Sequence, residues 1–172
     1  MRRDKHARQA GYTLIELVVV MILIGIITAL AIPRFVSPKA GPVSRRLLSD
    51  IRYAKELAIR FQNTSGNPCC GVYIINSTSY RVFTNNDPNI AAKDPQTGTD
   101  YVVTMSKKFS GVTFTYPTSF SGNILKFDSL GTPFEGSGSG TALGSAKTIT
   151  VNGPGGPRTV TIEPNTGKVT GS

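Results

Sequence analysis

Few side chains in this sequence could carry out acid–base or nucleophilic chemistry. The 172 residues include one histidine, His6, which lies in a short basic segment at the N-terminus. Ser-His-Asp catalysis, Cys-His catalysis and histidine-ligated zinc sites therefore lack a required member in the rest of the chain. The acid pairs Asp94/Asp100 and Asp128/Glu135 lie in predicted loops and form no catalytic pattern. We therefore expect no enzymatic activity, no cofactor and no metal site.

The two cysteines of the chain, Cys69 and Cys70, are adjacent. Because there is no third cysteine, the one bridge that can form within the chain is a vicinal disulfide, whose short ring fits ordinary disulfide geometry poorly. Three states are open at this point: two packed thiols, a vicinal disulfide, or a bridge to another molecule. Two thiolates alone offer too few ligands for a metal ion.

One carboxylate, Glu16, lies inside the longest apolar run of the sequence. Residues 1–11 hold four basic residues and one acidic residue, so they supply +3 of the net charge of +9. The 21 residues from Tyr12 to Ile32 follow, with Glu16 as their only charge. As a helix they would span ~31 Å, close to the ~30 Å hydrocarbon core of a bilayer. A carboxylate costs on the order of 3 kcal/mol at the middle of such a span and less near its end, so Glu16 needs a partner.

A secretory signal peptide or a simple signal anchor would also explain a basic segment followed by an apolar run. A signal peptide would be cleaved after Ala31, in the small-residue pattern Ala29-Leu30-Ala31. Neither interpretation explains Glu16. A secreted or signal-anchored periplasmic domain therefore stands as one alternative for the whole chain.

The elements that must position these residues are helical at first and β-rich afterwards. Gly25 and Pro33 are expected to weaken or bend the first helix. From Val43 to Phe61, apolar residues recur every three or four positions, which predicts an amphipathic helix whose basic side is solvated. Strands are predicted at 71–76, 80–84, 101–105, 112–116, 123–128, 148–151 and 158–163, with a flexible Gly/Ser loop at 136–140. The pattern predicts an α+β fold, with a long N-terminal helix packed on an antiparallel β head.

The segment from Gly11 through Tyr12, Thr13 and Glu16 to Leu17, after a basic leader and before an apolar helix, resembles the signal of type IV pilins and type II secretion pseudopilins. The resemblance implies a type IV pilin-like fold, cleavage after Gly11 by a prepilin peptidase and methylation of the new amine at Tyr12. It also implies that Thr13 and Glu16 belong to the assembly motif, and that the helix stays in the inner membrane until the subunit enters a filament.

Simple electrostatics gives Glu16 a role that agrees with this resemblance. In a bundle of such helices, the carboxylate of one subunit can approach the free N-terminal amine of a neighbour. Leaving either charge unpaired in a low-dielectric environment costs several kcal/mol. We therefore predict that Glu16 sets the register of assembly.

The downstream sequence resembles a narrower group, the GspH/FimT-like minor pilins, or equally minor pilins of the mannose-sensitive-haemagglutinin type. The similar segments are 50–59 in the helix, 127–133, which contains Phe127, Gly131 and Pro133, and a final hairpin at 159–169. The implied organisation is a leader at 1–11, a hydrophobic transmembrane and assembly helix at 12–35, an amphipathic helix half at 36–62 and a β-rich periplasmic head at 63–172.

The leading functional interpretation is a structural subunit that helps to initiate or build a filament of a type II secretion system or type IV pilus. The implied partners are a prepilin peptidase, other pilins or pseudopilins, an inner-membrane assembly platform and inner-membrane lipid. A DNA-binding minor pilin is the alternative, because the chain is basic and nucleic-acid phosphates attract lysine and arginine. Near the C-terminal hairpin, however, the basic residues are only Lys168 and the more distant Arg158.

Overall fold

The computed structural model describes residues 12–31, 39–61, 67–105, 109–116 and 121–172. The chain divides into two units, Met1–Phe35 and Val36–Ser172. In the first unit, helix α1 runs from Leu14 to Ala31. Among the described residues, no helix combines the length and the apolar character that crossing a membrane requires. Pro33 and the rest of the predicted link between the two helix halves lie outside the described residues, so a continuous helix stays a prediction.

The second unit begins with helix α2, which runs from Ala40 to Phe61. Its buried residues follow the predicted spacing, and those on the apolar stripe are Val43, Leu47, Ile51, Ala54 and Ala58. Phe61 was predicted on the same face, but 57% of it is exposed. Phe61 is the last residue of α2, so no further turn of this helix packs beside its side chain.

A six-stranded antiparallel sheet, in the order β3-β2-β1-β5-β6-β7, forms the larger layer of the head. Its strands are β1 (Cys70–Asn76), β2 (Ser79–Phe83), β3 (Val102–Thr104), β5 (Ile124–Phe127), β6 (Pro133–Glu135) and β7 (Thr141–Ala142). The hairpin of β1 and β2 pairs Val72 with Val82 and closes through Asn76, whose side-chain oxygen accepts hydrogen bonds from Thr78 and Ser79.

A four-stranded antiparallel sheet, in the order β10-β9-β8-β4, forms the other layer. Its strands are β4 (Thr113–Thr115), β8 (Lys147–Asn152), β9 (Arg158–Ile162) and β10 (Val169–Gly171). In β8 and β9, threonines and apolar residues alternate, so that Ile149, Val151, Val160 and Ile162 lie on the buried face. This period of two is the pattern expected of a strand with one face in the core.

The core of the head lies between the apolar stripe of α2 and the inner faces of both sheets. Beside this core, β1 and β5 approach each other closely at Gly71, which is opposite Lys126. A Cβ atom at Gly71 would collide with the carbonyl oxygen of Leu125 and with Lys126. Only glycine therefore fits at this point of β1.

The predicted strands are confirmed to within one or two residues at each end. The strands that the sequence did not indicate are β6 and β7. They have three and two residues and come directly before and after glycine-rich turns, so neither is long enough to show an alternating pattern. The final hairpin implied by the resemblance is present as β9 and β10, in which Val169 pairs with Ile162.

Candidate functional site

The N-terminal assembly motif lies at the start of α1. Thr13 immediately precedes the helix, and its side-chain oxygen accepts a hydrogen bond from the backbone N–H of Glu16 at 3.3 Å. This is the geometry of an N-terminal cap, and the Thr-x-x-Glu spacing is that of a capping box. A carboxylate in the first turn is favoured by the helix dipole. The structure thus places Glu16 at the end of the apolar helix, while Gly11 lies outside the described residues.

Glu16 and the apolar surface around it are exposed. Among the described residues, no cation lies within ion-pair distance of Glu16. Thirteen large apolar residues of the segment 12–27 are exposed, from 43% at Val18 to 84% at Tyr12. Helix α1 continues without a break through Gly25, and a bend there or at Pro33 stays a prediction. Helix α1 is therefore an apolar helix with one charge, Glu16, near its N-terminal end.

Cys69 and Cys70 lie at the entry to β1. Both are free thiols and buried, with 6% and 0% of the residue exposed, and their Sγ atoms are 2.9 Å apart. The Sγ atom of Cys69 also lies 4.0 Å from the carbonyl oxygen of Ala58 near the end of α2. Burial, with the neighbouring thiol as a smaller cause, raises the pKa of the Cys70 thiol well above its ordinary value.

Arg158 and Lys168 are exposed, but the structure does not bring them together. Arg158 is the first residue of β9, whereas Lys168 lies opposite Glu163, just beyond the other end of the strand. Five residues of extended chain separate the two positions, which corresponds to about 17 Å. Two cations this far apart do not form a local phosphate clamp, so the geometry does not favour the nucleic-acid alternative.

The acidic residues noted in the sequence have structural partners. Asp100 binds Lys93 at 2.7 Å, and this contact lowers the pKa of the Asp100 carboxyl. Asp128 accepts hydrogen bonds from the backbone N–H groups of Leu130 and Thr132, so it holds the turn before β6. Glu135 lies 3.6 Å from Lys147. No group of three metal-ligating side chains occurs in the described ranges.

Sequence reasoning missed a buried carboxylate, Asp50, on α2. Its Oδ2 accepts a hydrogen bond from the Tyr80 hydroxyl at 2.6 Å, and its Oδ1 accepts one from the Tyr101 hydroxyl at 2.8 Å. Arg46 on the helix lies 3.8 Å from Oδ2 and is half-exposed. These bonds tie α2 to the six-stranded sheet. The spacing gave a signal, since Asp50 is three residues after Leu47 and shares its side of the helix.

Burial raises the pKa of the Asp50 carboxyl above its ordinary value, and the two tyrosine hydrogen bonds oppose that rise. The same burial, with the nearby carboxylate, raises the pKa of Tyr80 well above its ordinary value. A cavity of about 320 Å³ opens beside Asp50 and is lined by Arg46, Asp94 and Tyr101, among other residues. Tyr80 is fully buried and does not line this cavity.

A second missed residue is Lys126, in the middle of β5 and 1% exposed. Its Nζ donates hydrogen bonds to the side-chain oxygen of Asn86 at 3.0 Å and to the carbonyl oxygen of Gly138. Burial lowers the pKa of this amine. The loop 136–140, predicted to be flexible, is therefore held to β5 by Lys126. A lysine within the apolar run Ile-Leu-Lys-Phe was the available signal.

The basic side of α2 is predicted to be solvated, but two of its residues contact the C-terminal hairpin instead. Arg52 donates to the carbonyl oxygen of Val169 at 2.8 Å, and Lys55 donates to that of Thr166 at 2.7 Å. These bonds satisfy carbonyl groups of the C-terminal hairpin at the edge of the four-stranded sheet. Gly167 fits closely here, because a Cβ atom would collide with the carbonyl oxygen of Gly131. The helix, the 127–133 segment and the hairpin thus form one packed unit.

Two known families match this chain. Residues 6–32 match the prokaryotic N-terminal methylation motif, and residues 43–167 match the type II transport protein GspH. The first match covers the assembly motif and all of α1, and the second covers most of α2 and nearly all of the head. No curated protein and no solved structure shows significant similarity. Members of this superfamily are structural, membrane-anchored subunits that assemble in filaments. The chain is therefore a pseudopilin or minor pilin of a type II secretion system or type IV pilus, and it belongs to the GspH family.

Proposed function

We propose that this subunit is cleaved between Gly11 and Tyr12 and methylated at Tyr12. Its N-terminal helix then anchors it in the inner membrane, with the head in the periplasm, and the same helix later carries it into a filament. One observation carries the proposal: the large apolar side chains between Leu14 and Ile27 are exposed on all sides of α1. A GspH-family subunit needs the head to fold and the helix to join its neighbours.

The exposed surface of α1 gives the driving force for anchoring and assembly. Burying one large apolar side chain contributes about 1.5–3 kcal/mol when it was fully exposed before. The thirteen large apolar residues of the segment 12–27, which are 43–84% exposed, together represent on the order of 10–20 kcal/mol. Lipid covers this surface before assembly and neighbouring helices cover it afterwards, so the same face serves both states.

Glu16 supplies the specificity that an apolar surface lacks. Apolar packing is non-directional, and a smooth apolar helix can slide along its neighbours. The carboxylate of Glu16 lies in the first turn of α1, four residues after Tyr12, whose amine would be the N-terminus after processing. Pairing the two charges removes the cost of leaving either one unpaired.

The processing step is tested by mapping the N-terminus of the chain purified from membranes. Mass spectrometry is expected to find Tyr12 as the first residue, with its amine methylated. A first residue that follows Ala31 would identify the segment as an ordinary signal peptide and would overturn the proposal. An intact N-terminus in cells that contain an active prepilin peptidase would also overturn it.

The assembly step is tested by comparing Glu16→Gln with Glu56→Gln. Glu56 is an exposed glutamate of α2 whose carboxylate binds Arg60, so its replacement is a matched surface control. Glu16→Gln is expected to remain in the membrane fraction but to enter sheared filaments on the order of tenfold less, because the neighbour's amine loses its counter-charge. Glu56→Gln is expected to assemble normally. Normal incorporation of Glu16→Gln would refute the role of Glu16.

The filament system is identified by purifying the tagged full chain after crosslinking. Recovery together with secretion pseudopilins would assign the subunit to a type II secretion system, whereas recovery with pilus minor pilins would assign it to a type IV pilus. Recovery of neither, from cells in which the subunit is processed and assembled, would contradict the proposed filament partnership. The inner-membrane assembly platform is expected in the same preparation before shearing.

A further inference from the structure

We propose that Cys69 and Cys70 form an oxidation site, at which folding of the head closes a vicinal disulfide by exchange with a disulfide oxidant. The two Sγ atoms lie 2.9 Å apart in the reduced chain. A disulfide bond has a length of about 2.05 Å, so the atoms need to approach by only about 0.9 Å. The fold therefore presents the two thiols to each other rather than to opposite sides of the strand.

The backbone around the pair is held from both sides. The N–H of Cys69 donates to the carbonyl oxygen of Phe127 at 3.1 Å, and its carbonyl oxygen accepts from the N–H of Asn86 at 2.7 Å. Cys70 begins β1 and pairs with Phe127 across the strands. Since both neighbours lie in the head, the thiols reach this arrangement only when β1 and β5 have paired.

Burial favours a bridge within the chain over a bridge between chains. Cys69 is 6% exposed and Cys70 is fully buried. A cysteine of another molecule would have to enter the core between α2 and β1 to reach either Sγ. The sequence contains no third cysteine that could compete within the chain. The adjacent thiol is thus the one accessible partner in the folded head.

The chemical step is ordinary thiol–disulfide exchange. One cysteine thiolate attacks the disulfide of the oxidant, which forms a mixed disulfide and releases one oxidant thiolate. The second cysteine, after losing its proton, attacks the sulfur of the first, so that the vicinal bond forms and the second oxidant thiolate leaves. The chain loses two electrons and two protons, and the oxidant disulfide is reduced to two thiols.

The vicinal disulfide is expected to be reduced more easily than an ordinary structural disulfide. Adjacent Cα atoms are about 3.8 Å apart, below the range of about 4.4–6.8 Å found in ordinary disulfides, and such deviation makes a disulfide easier to reduce. In the reduced form, burial raises the pKa of the Cys70 thiol, so thiolate is scarce once the head is complete. Oxidation therefore accompanies folding, when the thiols are first brought together.

The test uses the purified full chain with both thiols reduced and with oxidised glutathione as the oxidant. One sample is diluted from denaturant into detergent buffer so that the head folds, and a matched sample stays in denaturant. Both samples are quenched with acid and alkylated in denaturant, and the mass of the chain is then measured by mass spectrometry. In the folding sample, the chain is expected to be two hydrogens lighter than the reduced chain and to carry no alkyl group. It is expected to migrate as a monomer in non-reducing electrophoresis. The vicinal product is expected to be about tenfold more abundant than in the denatured sample, because the fold orients the two thiols.

Three results would overturn the proposal: two alkylated thiols in the folded sample, glutathione adducts in equal yield in both samples, or a disulfide-linked dimer. A peptide that contains both cysteines and is lighter by two hydrogens would confirm the vicinal bond directly. Cys69→Ser is a control for access: its single thiol is expected to stay monomeric and unmodified when the head is folded. The oxidant is supplied in solution, so failure here would not bear on the proposed membrane location or filament role.

Discussion

Replacing Asp50 with alanine tests the inference that one buried carboxylate holds α2 on the six-stranded sheet. Asp50 accepts hydrogen bonds from Tyr80 at 2.6 Å and from Tyr101 at 2.8 Å, and it is 4% exposed. A hydrogen bond to a charged group contributes about 1.5–3 kcal/mol, and a buried polar group left without a partner costs about 1–3 kcal/mol. Asp50→Ala leaves two tyrosine hydroxyls without their acceptor.

The structure also predicts how this loss divides between the two tyrosines. Tyr80 is fully buried, so no water replaces its hydroxyl, and Tyr80→Phe is expected to cost about 2 kcal/mol. Tyr101 lines the cavity of about 320 Å³, where water can bind the freed Oδ1, so Tyr101→Phe is expected to cost less than about 1 kcal/mol. Asp50→Ala is expected to cost about 3 kcal/mol, or about 6–12 °C in melting temperature.

The assay is thermal unfolding of the full chain in mild detergent, followed through the circular dichroism of the β head. Tyr73→Phe is the control, because the Tyr73 hydroxyl has no hydrogen-bond partner among the described residues and its ring lies under Arg81. We expect this control to melt within about 2 °C of the unmodified chain. If Tyr101→Phe cost as much as Tyr80→Phe, or if Asp50→Ala cost less than about 1 kcal/mol, the reasoning from burial would be refuted.

Three further perturbations follow from the described contacts. Burial raises the pKa of Asp50 above its ordinary value of 3.8, so the folded chain binds this proton more tightly than the unfolded chain. Its stability relative to Asp50→Asn should therefore fall as pH rises from 3.8 through the folded-state pKa and stay level above it, as measured by urea unfolding across pH. Gly71→Ala should lower the free energy of unfolding by about 3 kcal/mol or more, because its Cβ collides with the backbone, and should lower the yield of folded protein. Gly144→Ala, which has open space at its Cβ, should leave that yield unchanged. Arg52→Met should speed hydrogen exchange in the last strand and lower the stability of the head by about 1 kcal/mol. Arg60→Met, which removes an exposed ion pair, should change stability by less than about 0.5 kcal/mol. Equal effects of the two would show that the contact of Arg52 with the hairpin does not stabilise the head.

Long periodic patterns made the helices and most strands predictable. The stripe from Val43 to Ala58 repeats over four turns, and the alternation of β8 and β9 repeats over five or six residues. Each position in such a pattern supports the same interpretation, so single errors, such as Phe61, do not change it. Strands β6 and β7 are too short for any period, and their existence depends on the neighbouring strand β5.

The candidate site divides in the same way. The N-terminal motif could be predicted because its elements are contiguous: Thr13, Glu16 and the apolar run follow one another in a single helix. Cys69 and Cys70 were evident as a pair, but their burial and the 2.9 Å separation of their Sγ atoms depend on how β1 meets α2 and β5. The partners of Asp50 are 30 and 51 residues away in sequence, a separation that no local pattern encodes.

The sequence by itself therefore determined the class of protein: an apolar helix with one carboxylate near its start, an amphipathic helix and a β-rich head. These are properties of residue type and spacing, and they act over a few residues at a time. Only the tertiary structure decided which charges would be buried and paired. Asp50 and Lys126 leave water because strands from distant parts of the chain close over them. The cost of burying them is met by tyrosine, asparagine and backbone partners that the fold alone brings within hydrogen-bond distance.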